Sequence, residues 1–294
     1  MTKKVIIPVI LILIASIAID IILQQTIGYV PAELARIKIL VLACIYFISF
    51  FSQKLRPLSG FLLILLVILT INMLTGFIQT TSFWKSTFNT ASFAGNFGSS
   101  ILLKIIGILP ILAVLFLIFR SRSEFYLCIG DLKQKASRIN WLGIKENKIT
   151  WGKLAIISGL LISLGTILLT IITVTNVSEI KGLGNWLSYL PLILLLALAN
   201  SFCEGLIFRS AIMATLKDEL PKNQLILIAA LFFGISHYYG APGGPLGVIM
   251  SGLLGWYMCR SMYETKGFVS SWMIHAMQDV VIFSTLFLLG NFAS

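Results

Sequence analysis

The chain has 294 residues, of which 58% are hydrophobic and only 11% are charged, and its formal net charge is +11. Soluble globular domains contain roughly 25% charged residues. This composition therefore excludes an ordinary soluble domain and indicates that lipid surrounds most of the chain. The four cysteines show no paired spacing, which argues against a disulfide framework or a zinc knot and favours packing roles.

Apolar segments long enough to cross a hydrocarbon core of about 30 Å recur along the chain. Lys3 and Lys4 precede the first one and no convincing cleavage site follows it, so we expect a retained first span. Continuous apolar runs without period-two alternation predict helices, because lipid offers backbone groups no partners. The expected fold class is all-α, a polytopic transmembrane helical bundle of nine spans, with eight as the alternative. The predicted spans are 5–23, 37–51, 58–78, 99–119, 154–175, 187–216, 224–240, 245–262 and 268–290.

Lysine and arginine collect in alternate connections between the predicted spans, and this bias predicts the orientation of the bundle. Lys54 and Arg56 mark one connection, and the segment 120–153 contains eight basic residues against three acidic ones. The N-terminus and these connections are therefore expected on the cytoplasmic side of the cell membrane. The connections expected outside, which contain few basic residues, are 24–36, 79–97 and 176–186.

The segment 120–153 is also the one sizeable polar stretch of the sequence. It offers a basic surface for anionic lipid or an acidic protein. The simpler interpretation is that it fixes the topology and lies along the membrane surface, with Trp141 and Trp151 as interface anchors. We therefore expect N-terminal spans and this basic loop in residues 1–153, followed by a C-terminal core in residues 154–294.

Four ionisable residues of the C-terminal part interrupt apolar runs. The two histidines of the chain, His237 and His275, both lie inside predicted spans, as do Glu204 and Asp279. A charge near the bilayer centre costs roughly 2.5 to 3.5 kcal/mol even on lenient insertion scales. A shared functional site is therefore favoured over four separate hydrogen bonds between helices.

A rise of about 1.5 Å per residue places these four residues at similar depths in the membrane. The expected heights above the cytoplasmic ends of the spans are about 18 Å for Glu204, 20 Å for His237, 12 Å for His275 and 18 Å for Asp279. His275 and Asp279 are four residues apart and share a helix face. All four side chains are thus expected to meet in one layer.

A glutamate, two histidines and a further carboxylate in a water-accessible pocket suit two kinds of hydrolytic chemistry. They can activate water by general base catalysis, or they can hold zinc, for which the available ligands are Glu204, His237, His275 and Asp279. A histidine can also donate a hydrogen bond to the oxyanion of peptide scission. Buried acidic residues and histidines also form proton relays, so a proton-coupled transporter is an alternative, although the sequence has no inverted repeat.

The other ionisable residues within spans have structural interpretations. Arg209 lies about 10 Å from the cytoplasmic end of its span, from where its side chain can snorkel. Asp20 and Lys104 lie near the outer ends of their spans and are expected to snorkel or cap. The glycine- and proline-rich run 240–247 lacks the lysine of a phosphate-binding loop, so it is expected to be a turn between spans.

Three short motifs follow one another on successive predicted spans. Glu204 to Arg209 reads EGLIFR, Phe233 to His237 reads FGISH, and His275 to Asp279 reads HAMQD. In order and separation they resemble the EExxxR, FxxxH and HxxxN or HxxxD motifs of the CPBP or Abi family of intramembrane proteases. That family includes the CAAX prenyl endopeptidases and the bacteriocin-processing proteins, and the resemblance extends over about residues 185 to 290.

The resemblance implies an intramembrane endopeptidase in which Glu204 activates a water molecule with help from His237. It also implies that His275 and Asp279 hold the oxyanion or the substrate carbonyl. Phe233 and Arg209 enter as further motif residues with structural roles; Arg209 is the residue of most interest because of the substitution beside it.

Both a metal-dependent and a metal-free glutamate mechanism agree with the resemblance, so the expected cofactor is either none or a divalent metal such as zinc. The implied partners are the lipid bilayer and a membrane-associated polypeptide, either prenylated at a CAAX end or carrying a leader peptide. No nucleic-acid partner is expected.

The second glutamate of the family's first motif is replaced by Gly205 in this chain. That position lies four residues before Arg209, the spacing of a helical ion pair. Arg209 is therefore expected to find another acceptor, such as Asp218 or Glu219, or to snorkel towards lipid phosphate. Because of this substitution, the alternative function is that of a non-catalytic relative of the family, which serves as a membrane scaffold or regulator.

Overall fold

The computed structural model describes residues 3–88, 92–173, 180, 182–240 and 242–290, and within them the regular structure is helical. The predicted outer connection 176–186 lies partly outside the described residues. The helices are α1 (Lys3–Ala15), α2 (Ala18–Ile27), α3 (Leu34–Ser49), α4 (Ser59–Thr80), α5 (Ser82–Phe88), α6 (Ser99–Ile118), α7 (Trp151–Thr173), α8 (Trp186–Glu204), α9 (Ala211–Leu216), α10 (Lys222–Ser236), α11 (Gly244–Thr265) and α12 (Val269–Leu289).

The all-α polytopic bundle predicted from the sequence is confirmed, and each of the nine predicted apolar segments contains helix. Five helices in the described part of the chain are long and apolar enough to cross a membrane alone. A sixth is added if α1 and α2, bent by 60°, form one broken span. The number is below eight because α3 and α10 have only 16 and 15 residues, and because α11, which contains four glycines and a proline besides Arg260 and Glu264, is less apolar than these five.

A buried ion pair lies at the break between α1 and α2. Lys38 of α3 is buried and pairs with Asp20 of α2. Its Nζ also donates to the carbonyl oxygen of Ser16, at 2.9 Å. Ser16 lies in the two-residue gap between the helices, where backbone carbonyls lose their helical partners. The expectation that Asp20 snorkels or caps on its own is therefore replaced by a defined ion pair that stabilises the bend.

The C-terminal helices pack closely around α12, which lies against α7, α8 and α11. Helix α10 runs along α11, and glycines allow the close approach of this pair. A Cβ added at Gly234 would lie 2.7 Å from the Val248 carbonyl oxygen, and one added at Gly255 would lie 2.8 Å from the Phe233 ring. This arrangement brings the C-terminal ends of α8 and α10 and the interior of α12, which carry the three motifs, towards one another.

The basic segment 120–153 folds onto the end of the bundle where α11 is followed by α12. Gly130 has a φ of +74° and lies so close to Gly267 that a Cβ on either would meet the other's backbone at 2.6 Å or less. Trp151 is completely buried and donates from Nε1 to Glu264, at 2.8 Å. Its predicted role as an interface anchor is therefore wrong, whereas Trp141 is 61% exposed and packs beside Trp256.

Candidate active site

Helix α8 carries Glu204 at its last residue, in a long span whose helical register changes at that point. The six residues that follow, Gly205–Ser210, form a π-helical turn before α9 continues the span. Such π-turns occur frequently at functional sites because they redirect side chains without ending the helix. Glu204 is buried, and one turn before it on α8 lies the buried amide of Asn200.

His237 is the C-terminal cap of α10. Its Nδ1 lies 2.7 Å from the carbonyl oxygen of Phe233. A carbonyl oxygen only accepts hydrogen bonds, so Nδ1 carries the proton and Nε2 of the neutral ring has a free lone pair. Nε2 lies 3.7 Å from Glu204 Oε2. The FxxxH spacing thus fixes the tautomer of the histidine through its own helix.

His275 of α12 has the opposite tautomer. Its Nδ1 lies 3.1 Å from Nη2 of Arg209, and a guanidinium can only donate. Nδ1 therefore accepts and Nε2 carries the proton in the neutral ring. This Nε2–H lies 3.6 Å from Glu204 Oε2 and 3.5 Å from Asp279 Oδ1, both longer than a normal hydrogen bond. The histidine therefore has a donor available at the centre of the site.

The structure brings together the four ionisable residues that the sequence placed at one depth. Glu204 Oε2 is buried, has no hydrogen-bond partner among the described residues, and faces Nε2 of both His237 and His275. Asp279 Oδ2 accepts from Asn200 Nδ2 at 2.9 Å. Phe233 packs against both imidazole rings, with ring centroids 4.3 Å from His237 and 5.6 Å from His275.

Lys104 of α6 is a member of this site that the sequence interpretation missed. Its Nζ lies 2.6 Å from Glu204 Oε1 and 2.6 Å from Asn200 Oδ1. The expectation that Lys104 snorkels or caps at the outer end of its span is therefore wrong. Two sequence signals were available: Lys104 is the single charged residue between Ala94 and Ile118, and Asn200 lies one helical turn before Glu204.

Arg209 is completely buried, so it does not snorkel, and its Nη2 contacts His275 rather than Asp218 or Glu219. Its guanidinium lies over the Phe233 ring at 5.3 Å from the centroid. Nε and Nη1 have no hydrogen-bond partner among the described residues. The space that a side chain at position 205 needs is occupied, since a Cβ on Gly205 would lie 2.6 Å from Phe268 and 2.8 Å from Arg209 Nη2.

The residues present do not fit a zinc site. A zinc ligand needs a lone pair on its coordinating nitrogen, and the contact with Arg209 leaves Nε2 of His275 protonated. The Lys104 ammonium is bound to Glu204 and would repel a divalent cation. Within the described ranges, no group of three or more His, Cys, Asp and Glu side chains has an arrangement that could hold a metal ion.

A comparison with protein families agrees with the three motifs. Residues 185–281 match the family described as Type II CAAX prenyl endopeptidase Rce1-like, and the match does not extend into residues 1–184. Neither the curated proteins nor the solved structures give a match. The family implies a protease, and the apolar helices make this a multi-pass membrane protein. Residues 185–281 are therefore similar to the Rce1-like type II CAAX prenyl endopeptidases, in agreement with the group of intramembrane proteases to which the three motifs pointed.

Proposed function

We propose that this protein is an intramembrane endopeptidase in which Glu204 is the general base that activates water. The proposal rests on the different environments of the two carboxylate oxygens of Glu204. Oε1 is held by Lys104, whereas Oε2 is buried, has no hydrogen-bond partner in the described part of the chain and faces both histidines. A general base needs a carboxylate oxygen that is oriented but not already engaged.

The two histidine tautomers support different tasks for the two rings. A water molecule bound between Glu204 Oε2 and His237 Nε2 donates one hydrogen to each of these acceptors. Glu204 takes a proton from the water as its oxygen attacks the carbonyl carbon of the scissile peptide bond. The tetrahedral intermediate then collapses, the C–N bond breaks, and the proton held by Glu204 passes to the leaving amine.

The negative charge that develops on the substrate oxygen needs a donor, and Nε2–H of His275 is suited to this task. Arg209 contacts the other ring nitrogen and Asp279 lies one helical turn away, so the imidazole is fixed from two sides. Donors of this kind act strongly in a site from which bulk water is excluded, because they need no reorganisation during the reaction.

The proposed substrate is a membrane-associated polypeptide. The matched family favours a prenylated CAAX end, and a leader-peptide-bearing substrate is the second candidate. Cleavage is proposed to occur in the layer where Glu204 lies, within the membrane and nearer its cytoplasmic half. The N-terminus is proposed to be cytoplasmic, as the basic connections predict.

The experiment is cleavage of a prenylated CAAX peptide by the purified protein in detergent, with wild type compared with Glu204→Gln. The substitution preserves the shape of the side chain and removes its basicity. We expect kcat to fall by about 10² to 10⁴-fold, the contribution typical of a positioned acid or base.

Glu219→Gln is the matched control, because Glu219 lies beyond the end of α9 and outside the site. It should cleave like wild type. Wild-type protein that is folded and cleaves neither this peptide nor a leader-peptide substrate would instead favour a non-catalytic scaffold or regulator. A Glu204→Gln variant with full activity would reject Glu204 as the base.

A further inference from the structure

We infer that Lys104 is a positioning residue of the proposed active site, although it lies on α6, outside the family match and outside the three motifs. It lies in the N-terminal part of the chain, to which the motifs assign no role. The inference rests on the proposed function, because it concerns the orientation of the proposed base, Glu204.

The geometry around the Glu204 carboxylate supports an orienting role for Lys104. Lys104 Nζ lies 2.6 Å from Glu204 Oε1, and among the described residues it is the direct hydrogen-bond partner of this carboxylate. A hydrogen bond to one oxygen restricts the rotation of a carboxylate and leaves the second oxygen free to accept elsewhere. In this site the second oxygen, Oε2, points at Nε2 of His237 and of His275.

The second step is the network that extends from the lysine. Lys104 Nζ also donates to Asn200 Oδ1, at 2.6 Å, and Asn200 Nδ2 donates to Asp279 Oδ2, at 2.9 Å. An ammonium only donates, so the amide orientation of Asn200 is fixed. A single chain of hydrogen bonds therefore connects the proposed base with the carboxylate beside His275.

The third step is access. The Lys104 side chain is 38% exposed while the Glu204 side chain is only 10% exposed. Lys104 lines a cavity of about 260 Å³ between α4 and α6, whose other polar lining residues are Asn72, Thr75, Gln79 and Ser100. A lysine that served only as the counterion of the buried Glu204 carboxylate would not need a polar cavity beside it. A polar cavity of this size has room for water beside the ion pair.

The test separates the charge of Lys104 from its bulk. Lys104→Met keeps the length of the side chain and removes the ammonium, so the Glu204 carboxylate loses its orienting partner. We expect kcat for peptide cleavage to fall by about 10²-fold, the lower end of what a positioned base contributes, with KM unchanged. Lys104→Arg, which keeps a cation and donors, should retain more activity than Lys104→Met.

Chemical rescue supplies a measurement that a purely structural role would not move. Lys104→Cys is treated with aminoethyl methanethiosulfonate, which restores an ammonium, or with ethyl methanethiosulfonate, which adds similar bulk without charge. Activity should return with the first reagent only and disappear again after reduction. Wild type is treated in parallel, because Cys44 is exposed.

Lys38→Met is the matched control, because Lys38 is also a lysine of the N-terminal helices that pairs with a carboxylate, and its partners among the described residues are Asp20 and the Ser16 carbonyl rather than Glu204. It should lower the melting temperature and leave kcat of the folded protein unchanged. If Lys104→Met does not fold, Asn200→Leu tests the same network, and it should lower kcat at unchanged KM.

The outcomes distinguish this inference from the proposed function. If Glu204→Gln is inactive while Lys104→Met, or Asn200→Leu in its place, cleaves with the wild-type kcat, the role of Lys104 is rejected and the base remains. Equal rescue by both reagents also rejects the role, since bulk alone then suffices. If Glu204→Gln remains fully active, it is the proposed function that fails.

Discussion

Two lysines of the N-terminal helices form ion pairs with acidic side chains, and the two pairs are arranged in opposite ways. In the pair at the helix break, the Lys38 side chain is only 5% exposed and that of Asp20 is 28% exposed. In the pair at the candidate site the order is reversed, with 38% for Lys104 and 10% for Glu204.

The partners beyond each pair differ in the same direction. Lys38 also binds the Ser16 carbonyl, so the buried member of that pair is engaged by two oxygens of a single bend. Glu204 is the buried member of the other pair, and among the described residues one of its oxygens has no hydrogen-bond partner. Leaving a buried acceptor unpaired costs free energy. The first pair therefore stabilises the fold, whereas the second retains an unpaired acceptor where the proposed general base needs one.

The largest effect on stability is expected from breaking the first pair. Asp20→Asn leaves the buried Lys38 ammonium without its carboxylate, and removing one partner of a buried ion pair costs about 3 to 5 kcal/mol. Thermal unfolding in detergent should show a clear decrease in melting temperature. Peptide cleavage per folded molecule should remain at the wild-type level.

Glu204→Gln provides the opposite case, because Lys104 is more exposed than Lys38 and can be solvated when it loses its partner. The stability loss should therefore be smaller than for Asp20→Asn, although cleavage is abolished. Equal melting temperatures for the two variants would remove the distinction between a structural pair and a functional pair.

The meeting of Glu204, His237, His275 and Asp279 could be predicted from the sequence, because their expected heights depend only on topology and helical rise. The loop charges indicate the topology, and the rise per residue is the same in every α-helix. The all-α bundle followed from composition in the same way. Helix content, topology and height along a helix depend only on position in the chain. They can therefore be predicted from the sequence without knowing how the helices rotate or pack.

The contacts of Lys104, Trp151 and Arg209 were not predictable by that reasoning. Each depends on the rotation of a helix about its own axis, or on a loop that folds back onto the bundle. Nearly uniform apolar spans such as α6 give little indication of which face is buried. The π-helical turn after Glu204 also changes the local register, so the α-helical spacing rule did not show that the space at position 205 is taken by Arg209 Nη2 and the Phe268 ring.

Glu264 extends the comparison to a carboxylate whose acceptors are all engaged, at the end of α11 beyond the predicted span 245–262. Its oxygens bind Lys222 at 2.7 Å, Arg260 at 3.1 Å and Trp151 at 2.8 Å, in addition to Ser137. Burial by itself raises the pKa of Glu264, but the hydrogen bonds from Lys222, Ser137 and Trp151 outweigh it and lower the pKa to about 2.

The Glu264 carboxylate should therefore stabilise the fold, and its contribution to the free energy of unfolding should depend on pH. Its folded pKa of about 2 lies below the ordinary value of 4.5, so its contribution to stability is complete above about pH 4.5 and is lost as the pH falls towards 2. Wild type should lose more stability across this window than Glu264→Gln. Glu33→Gln, at an exposed pair with Arg36, is the control and should change the melting temperature little, because exposed ion pairs contribute about 0 to 1 kcal/mol.

Gly205 tests whether a buried cation needs a carboxylate beside it. A Cβ at this position meets the buried ring of Phe268 and displaces the Arg209 guanidinium, so Gly205→Ala should lower stability by about 1 to 3 kcal/mol through overpacking. Gly205→Glu suffers the same clash but offers an acceptor to Nε and Nη1 of Arg209. Its melting temperature should lie above that of Gly205→Ala and below that of wild type.

The two alternatives for Gly205 give different orders of melting temperature. If Gly205→Glu melts above wild type, the missing partner outweighs the packing of Phe268. If it melts below Gly205→Ala, Arg209 does not need a second acceptor. The spacing of four residues between position 205 and Arg209 would by itself favour stabilisation by an added glutamate, and the occupied space beside Gly205 reverses that expectation.

Asp279 is intermediate between the two kinds of carboxylate, and its substitution should have the smallest effect. Oδ2 accepts from Asn200, while Oδ1 lies 3.5 Å from the protonated Nε2 of His275, beyond normal hydrogen-bond length. In Asp279→Asn the amide oxygen still accepts from Asn200, and the amide nitrogen turns towards His275. Two donors then face each other, but the separation keeps their repulsion small. We expect kcat to fall by less than about tenfold, which corresponds to about 1.4 kcal/mol.

His275→Ala, measured in the same cleavage assay, should lose far more because it removes the proposed donor for the oxyanion. A loss in Asp279→Asn as deep as that of His275→Ala would mean that the negative charge of Asp279, rather than its hydrogen bond, supports the site.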